Sequence, residues 1–131
     1  MRASQKVYSL WDTYVFADFV TYPSLWEGWG NQLMETLRAR LPFMLFEYPV
    51  YKVDIKDKGF HTVSLGVKID SRDEQGLVQV APEVMEAAAE EAVELLVDGG
   101  IRRETVQHNF QTARKYYPLT ALRGYLEQLV G

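Results

Sequence analysis

Two acids and two glycines stand close together near residue 30: Glu27, Gly28, Gly30 and Glu35, with seven residues between the acids. They fall where an apolar run, Phe19–Tyr22, gives way through Pro23 and Ser24 to a helical pattern from about Asn31 to Arg40. A helix that starts near Gly30 leaves the N–H groups of Gly30, Asn31 and Gln32 without intrahelical acceptors. Those donors, with the positive end of the helix dipole, form an anion site suited to a diphosphate. Glycine lacks a Cβ, so Gly28 and Gly30 let a ligand approach the backbone. Glu35, a turn further on, could accept hydrogen bonds from two neighbouring hydroxyls, as on a ribose. Glu27 projects from the loop toward whatever is attached beyond the phosphates. Trp26 and Trp29 offer faces for a base or a sugar, or pack over the loop. The bland reading competes: an acid in the first turns of a helix is favourable by about 0.3–1 kcal/mol on its own, and glycines before helices are common turn chemistry.

These residues need a frame. The helical stretch carries Leu33, Met34, Leu37 and Leu41 on one side, Pro42 ends it, and Phe43-Met44-Leu45-Phe46 follows without a polar residue. Continuous apolar character predicts a strand covered on both faces. Strand, loop, helix, strand is a βαβ unit, which places the loop at the carboxyl edge of a parallel sheet, where open α/β folds bind ligands. Before it, residues 4–17 predict a helix capped by Ser4, with Val7, Leu10, Trp11, Tyr14 and Val15 on one face. After it, 47–58 predict a loop with a short helical turn, Phe60–Leu65 a third strand, Asp70–Gly76 a polar loop and Leu77–Val80 a short strand. Pro82 suits a first helical turn. The pattern then predicts a helix over Glu83–Asp98 that buries Met85, Ala88, Ala92, Leu95 and Leu96 and ends at Gly99-Gly100. Further helices are expected over Arg102–Tyr117, with Val106, Phe110 and Ala113 inward, and around Leu119, Leu122, Leu126 and Leu129.

Composition narrows the chemistry. The 131 residues suffice for one core. Net charge is −4 with basic residues scattered, so no nucleic-acid partner is expected. The absence of cysteine excludes disulfides, thiolate zinc sites and cysteine nucleophiles. No apolar run approaches a membrane span and no signal-peptide core opens the chain, which predicts a soluble, cytoplasmic protein. His61 and His108, far apart in sequence, read as structural or surface groups. Glu83, Glu86, Glu90, Glu91 and Glu94 read as a solvated helix face and not a metal site. Asp54, Lys56, Asp57 and Lys58 read as mixed surface charge. Three or four strands against five helices are few for a doubly wound sheet, which predicts that preceding sequence or a partner chain completes it.

The run YPSLWEGWGNQLMET resembles the Glu-seven-residues-Glu signature of retaining nucleotide-sugar glycosyltransferases of the GT-B fold. Pro23, Ser24, Glu27, Gly28, Gly30 and Glu35 match, while Trp29 replaces the usual Phe. The following LRARLPFMLFEYP is similar to the family's next strand, with Arg40 and Leu41 where a glycine is frequent, and the closing helices are similar as well. The resemblance implies that residues 1–131 are a single, partial C-terminal donor-binding domain. The implied fold is a three-layer, Rossmann-like α/β arrangement with a small, mainly parallel sheet of three to four strands and C-terminal helices. It further implies that Glu27 contacts the transferred sugar, that Glu35 holds the ribose, and that Gly28, Trp29, Gly30, Asn31 and Gln32 face the sugar and diphosphate. Catalysis in the family needs no metal or cofactor; the nucleotide-diphosphate sugar is the substrate. The family's basic residues for the diphosphate, and its acceptor domain, have no counterpart in this chain. Lys52, Lys56 and Lys58 take no such role. The isolated chain is therefore expected to bind donor weakly and transfer nothing, with self-association through uncovered apolar surface. Two rivals stand beside this reading: a binding module or subunit completed by a separate chain, and an unrelated Rossmann-like domain.

Overall fold

The computed structural model describes residues 7–118 and 127–128. Its centre is the expected βαβ unit: β1 (Val20–Tyr22), α2 (Asn31–Ala39) and β2 (Phe43–Leu45), preceded by α1 (Leu10–Val15). β1 and β2 are parallel, with Val20 opposite Phe43 and Tyr22 opposite Leu45. β3 (Val63–Ser64) adds in parallel on the other side of β2, giving the order β1-β2-β3. The protein is thus an α/β domain with a small parallel sheet and helices that follow it in sequence.

Periodicity explains α2. Leu33, Thr36 and Leu37 are its buried residues, and the Thr36 hydroxyl is satisfied by donating to the Gln32 carbonyl at 2.8 Å. Arg40 ends the helix in the left-handed conformation at φ +57°, with its N–H on the Leu37 carbonyl and that of Leu41 on Thr36. Glycine adopts this geometry without the steric cost a side chain incurs. Arg40 offsets part of that cost by laying its guanidinium over the Phe110 ring, 4.1 Å from the centroid. Pro42, Phe43, Leu45 and Tyr48 then continue the core under the helix.

Several local expectations are corrected. The segment 47–58, expected as a loop with a short helical turn, does hold helical turns, but they take up most of it: a π-helical turn spans Tyr51–Ile55 and a tighter 3-10 turn Lys56–Lys58, with Tyr51 and Ile55 both buried in the core. The third strand is confined to two residues. The polar stretch at 70–76 is half of a hairpin, β4 (Ser71–Arg72) antiparallel to β5 (Val78–Gln79), separate from the main sheet. The Asp73 carboxylate takes the backbone N–H groups of Gln75 and Leu77 and so folds the turn.

α3 (Pro82–Val97) buries Ala88 and Leu95, whereas Met85 and Leu96 are exposed. Gly99 and Gly100 do not end it; they open α4 (Gly99–Tyr116). Asp98 decides this, since its carboxylate accepts from the Gly100 and Ile101 amides at 2.8 and 3.0 Å and caps the new helix. α4 buries Asn109 and Thr112, while Phe110 is half-buried. Asn109 brackets His61, accepting from its N–H and donating to its carbonyl, both at 2.8 Å. The two histidines, expected to stand apart, stack on each other with centroids 4.0 Å apart. Near the end of α4 the Lys115 ammonium lies over the ring of its neighbour Tyr116. The expected start at Ser4 and the last helix around Leu119, Leu122, Leu126 and Leu129 lie outside the described residues, apart from 127–128, which are helical. α1 begins at Leu10 and buries none of its residues: Leu10, Trp11 and Val15 are exposed, as are Val7 before it and Phe16 after it.

At the carboxyl end of β2 the chain buries an acid. Glu47 is 8% exposed and accepts from Lys56 Nζ at 2.6 Å and Ser64 Oγ at 2.8 Å. Burial alone would raise its pKa, but the bonds from Lys56 and Ser64 outweigh it and hold the carboxyl below its usual value. A lowered acid stabilises the fold above the unfolded pKa of about 4.3 and loses that contribution as pH falls through the folded value. We expect Glu47→Gln to cost about 1.5–3 kcal/mol at neutral pH, the weight of hydrogen bonds to a charged group. Urea titrations at pH 7 and pH 4 check this: the deficit should shrink at the lower pH.

Candidate functional site

β1 ends at Tyr22, the loop 23–30 leaves the carboxyl edge of the sheet, and α2 rises from Gly30. Gly30 is the N-cap, in the left-handed conformation at φ +81°, and contributes no side-chain hydrogen bond to the helix. The first amides with protein acceptors are those of Leu33 and Met34, both on the Gly30 carbonyl. Among the described residues nothing takes the Asn31 and Gln32 amides. α4 makes the contrast, since Asp98 closes its N-terminus with a carboxylate. The opening of α2 carries no such cap, and Asn31 and Gln32 are exposed there.

The two glycines differ. Gly28 is exposed, and a Cβ added to it would meet nothing within 4 Å. Gly30 is buried, and a Cβ there would come 2.5 Å from the Tyr48 hydroxyl and 3.4 Å from that of Tyr22. Both its backbone angle and its neighbours require glycine.

The acids have separate protein partners. Glu27 is half-buried and faces the Tyr22 hydroxyl; burial, then the hydrogen bond and charge of Glu27, push the Tyr22 pKa up. Glu35 Oε2 accepts from the Tyr14 hydroxyl of α1 at 2.7 Å. Burial and that bond push Tyr14 up to about 12. These phenols stay protonated at neutral pH and act as donors that orient the carboxylates. One lone pair of Glu35 is thereby used, which leaves its other oxygen for a ligand hydroxyl.

Trp26 is 80% exposed beside Glu27 in sequence. Trp29 packs edge-on against Tyr117, centroids 4.7 Å apart, and Tyr117 in turn stacks on Phe60. The end of α4 therefore supports the loop from behind. The loop, the glycine turn and the start of α2 lie side by side at the carboxyl edge of the sheet. The five glutamates of α3 are exposed, a solvated helix face as expected. Sequence reasoning missed the tyrosines: Tyr14, Tyr22 and Tyr48 all bear on the acids or the glycine turn. The available signal was position, since Tyr22 and Tyr48 each stand at or just past the carboxyl end of an apolar strand.

An open helix N-terminus at the carboxyl edge of a parallel sheet is the binding arrangement of a Rossmann-like α/β domain. The relatives place the chain more narrowly. It is 47% identical over 120 residues to mannosylglucosylglycerate synthase of Thermotoga maritima, covering 92% of this chain and 28% of that protein. It is also 47% identical over 94 residues to the synthase of the same name from Petrotoga mobilis, covering 72% of this chain and 21% of the relative. These relatives are glycosyltransferases, and this chain is homologous to part of one. It spans about a quarter of the length of the curated relatives it matches. No protein-family model matches it, and no solved structure does so significantly. Among the described residues no helix is long and apolar enough to cross a membrane.

Proposed function

We propose that the chain is the nucleotide-sugar donor-binding part of a retaining glycosyltransferase of the GT-B fold. The observation that carries this reading is the uncapped start of α2, where the Asn31 and Gln32 amides have no acceptor among the described residues beneath a turn with two glycines. A diphosphate fits that site by charge and by the absence of side-chain bulk at Gly28. In this reading Glu35 holds the ribose hydroxyls and Glu27 meets the sugar, while Trp26 offers a stacking face. The relatives' name describes a mannosyl group joined to glucosylglycerate, which supports mannose as the sugar moved.

The chemistry asked of these residues is positioning and charge stabilisation. Amides fixed by the helix need no reorganisation as the diphosphate departs and negative charge grows on its oxygens. The group accepting the sugar, and the cations that neutralise the diphosphate, belong to sequence or a partner outside this chain. The chain alone then binds donor weakly and transfers no sugar.

Titration of the chain with UDP-, GDP- and ADP-mannose, followed by amide NMR shifts, tests the reading. We expect one nucleotide to bind best, with the largest shifts at Gly30, Asn31 and Gln32. Shifts elsewhere, or none with any of the three, would overturn it.

A further inference from the structure

Tyr48 lies outside the signature, yet its side chain is fully buried and its hydroxyl has no hydrogen-bond partner among the described residues. A hydroxyl withdrawn from water without a partner destabilises the fold, so its presence calls for a physical reason. The hydroxyl is aimed at Gly30, and the Tyr22 hydroxyl reaches the same place from β1. The two rings meet edge-on, with centroids 6.1 Å apart. The charge of Glu27 acts on both phenols. Three polar groups thus surround the turn that opens α2, and one of them lacks a bond.

Resting on the donor-binding reading, we propose that Tyr48 is a positioning residue for Glu27, its hydroxyl donating to the Glu27 carboxylate once a nucleotide-sugar occupies the start of α2. A carboxylate has about four lone-pair positions, enough for Tyr22, Tyr48 and a sugar hydroxyl together. The turn has room to settle, since the space around Gly28 is open. In the free chain the Tyr48 hydroxyl is a cost; in the complex it becomes a bond that holds the acid toward the sugar. Ligand binding is thereby linked to the satisfaction of a buried group, and the two states respond oppositely to its removal.

Tyr48→Phe separates the alternatives. The ligand-free variant should melt at the same temperature as the parent or higher, while its affinity for UDP-, GDP- or ADP-mannose, whichever binds the parent best, falls about tenfold or more. Tyr51→Phe is the control: its hydroxyl lies 3.4 Å from Thr62 Oγ1, so it should lose some stability and keep its affinity. A lower melting temperature for ligand-free Tyr48→Phe would mean that the hydroxyl is already bonded, and would overturn the proposal. Undiminished affinity in Tyr48→Phe would overturn it while leaving the donor reading intact. A parent chain that binds none of the three compounds overturns the donor reading and this inference with it.

Discussion

Gly30→Ala is expected to destabilise the chain by several kcal/mol. The left-handed backbone at this position costs an alanine about 1–2 kcal/mol. Its methyl group would also stand 2.5 Å from the Tyr48 hydroxyl, a contact that must be relieved by moving a fully buried ring. Overpacking of this kind costs about 1–3 kcal/mol. The second part depends on one oxygen atom. In a Tyr48→Phe background the nearest atom of that ring left to the methyl group was 3.6 Å away, ordinary contact, so Gly30→Ala should there cost little more than the backbone strain. A double-mutant cycle by urea unfolding measures the difference. Equal costs in both backgrounds would show that the hydroxyl does not lie under Gly30.

Glu35→Gln should weaken binding of the preferred nucleotide by about 10- to 100-fold, the loss of hydrogen bonds to a charged acceptor worth about 1.5–3 kcal/mol. The substitution preserves shape, and glutamine can still accept from Tyr14, so the packing of α1 on α2 should survive. Tyr14→Phe makes the comparison sharp. It removes the Tyr14 hydroxyl that donates to Glu35 Oε2 and leaves the charge in place, so its effect should be much smaller and felt through orientation alone. Calorimetric or NMR titration of the three proteins with the same nucleoside diphosphate reads the order. Equal affinity for Glu35→Gln and its parent would remove the ribose from this residue and leave Glu35 as a partner of Tyr14 only.

The two experiments address different physical links. Gly30 concerns how the turn is built, and Glu35 concerns what the turn is for. A chain can retain the first and lack the second, which is why stability and affinity must be measured on the same variants.

The legible elements were those whose signal is local. Leu33 and Leu37 at helical spacing, followed by an unbroken apolar run from Phe43, announce α2 and β2, and the parallel register of β1 and β2 agrees. The glycine turn was legible for the same reason: Gly30 sits immediately before the helical pattern and has a positive φ. Where two local signals compete, sequence reading failed. Gly99-Gly100 after a long helical run looks like a stop, but Asp98 just before them is an N-cap, and its carboxylate begins α4 there. Likewise the charged residues of 47–58 suggest only a short helical turn within a loop, although Tyr51 and Ile55 are four apart and share the buried side of a longer helical stretch.

The order of residues was enough by itself to set the central unit, the glycine turn and the amides left open at the start of α2, because each follows from neighbours within a few positions. Tertiary packing alone decided which side chains surround that opening. Tyr14 reaches Glu35 across 21 positions and His61 meets His108 across 47. Tyr48 comes under Gly30 only because β2 lies beside β1. Spacing along a chain carries no record of such meetings, since they arise when separate elements bury their apolar faces together and bring along whatever polar atoms those faces bear.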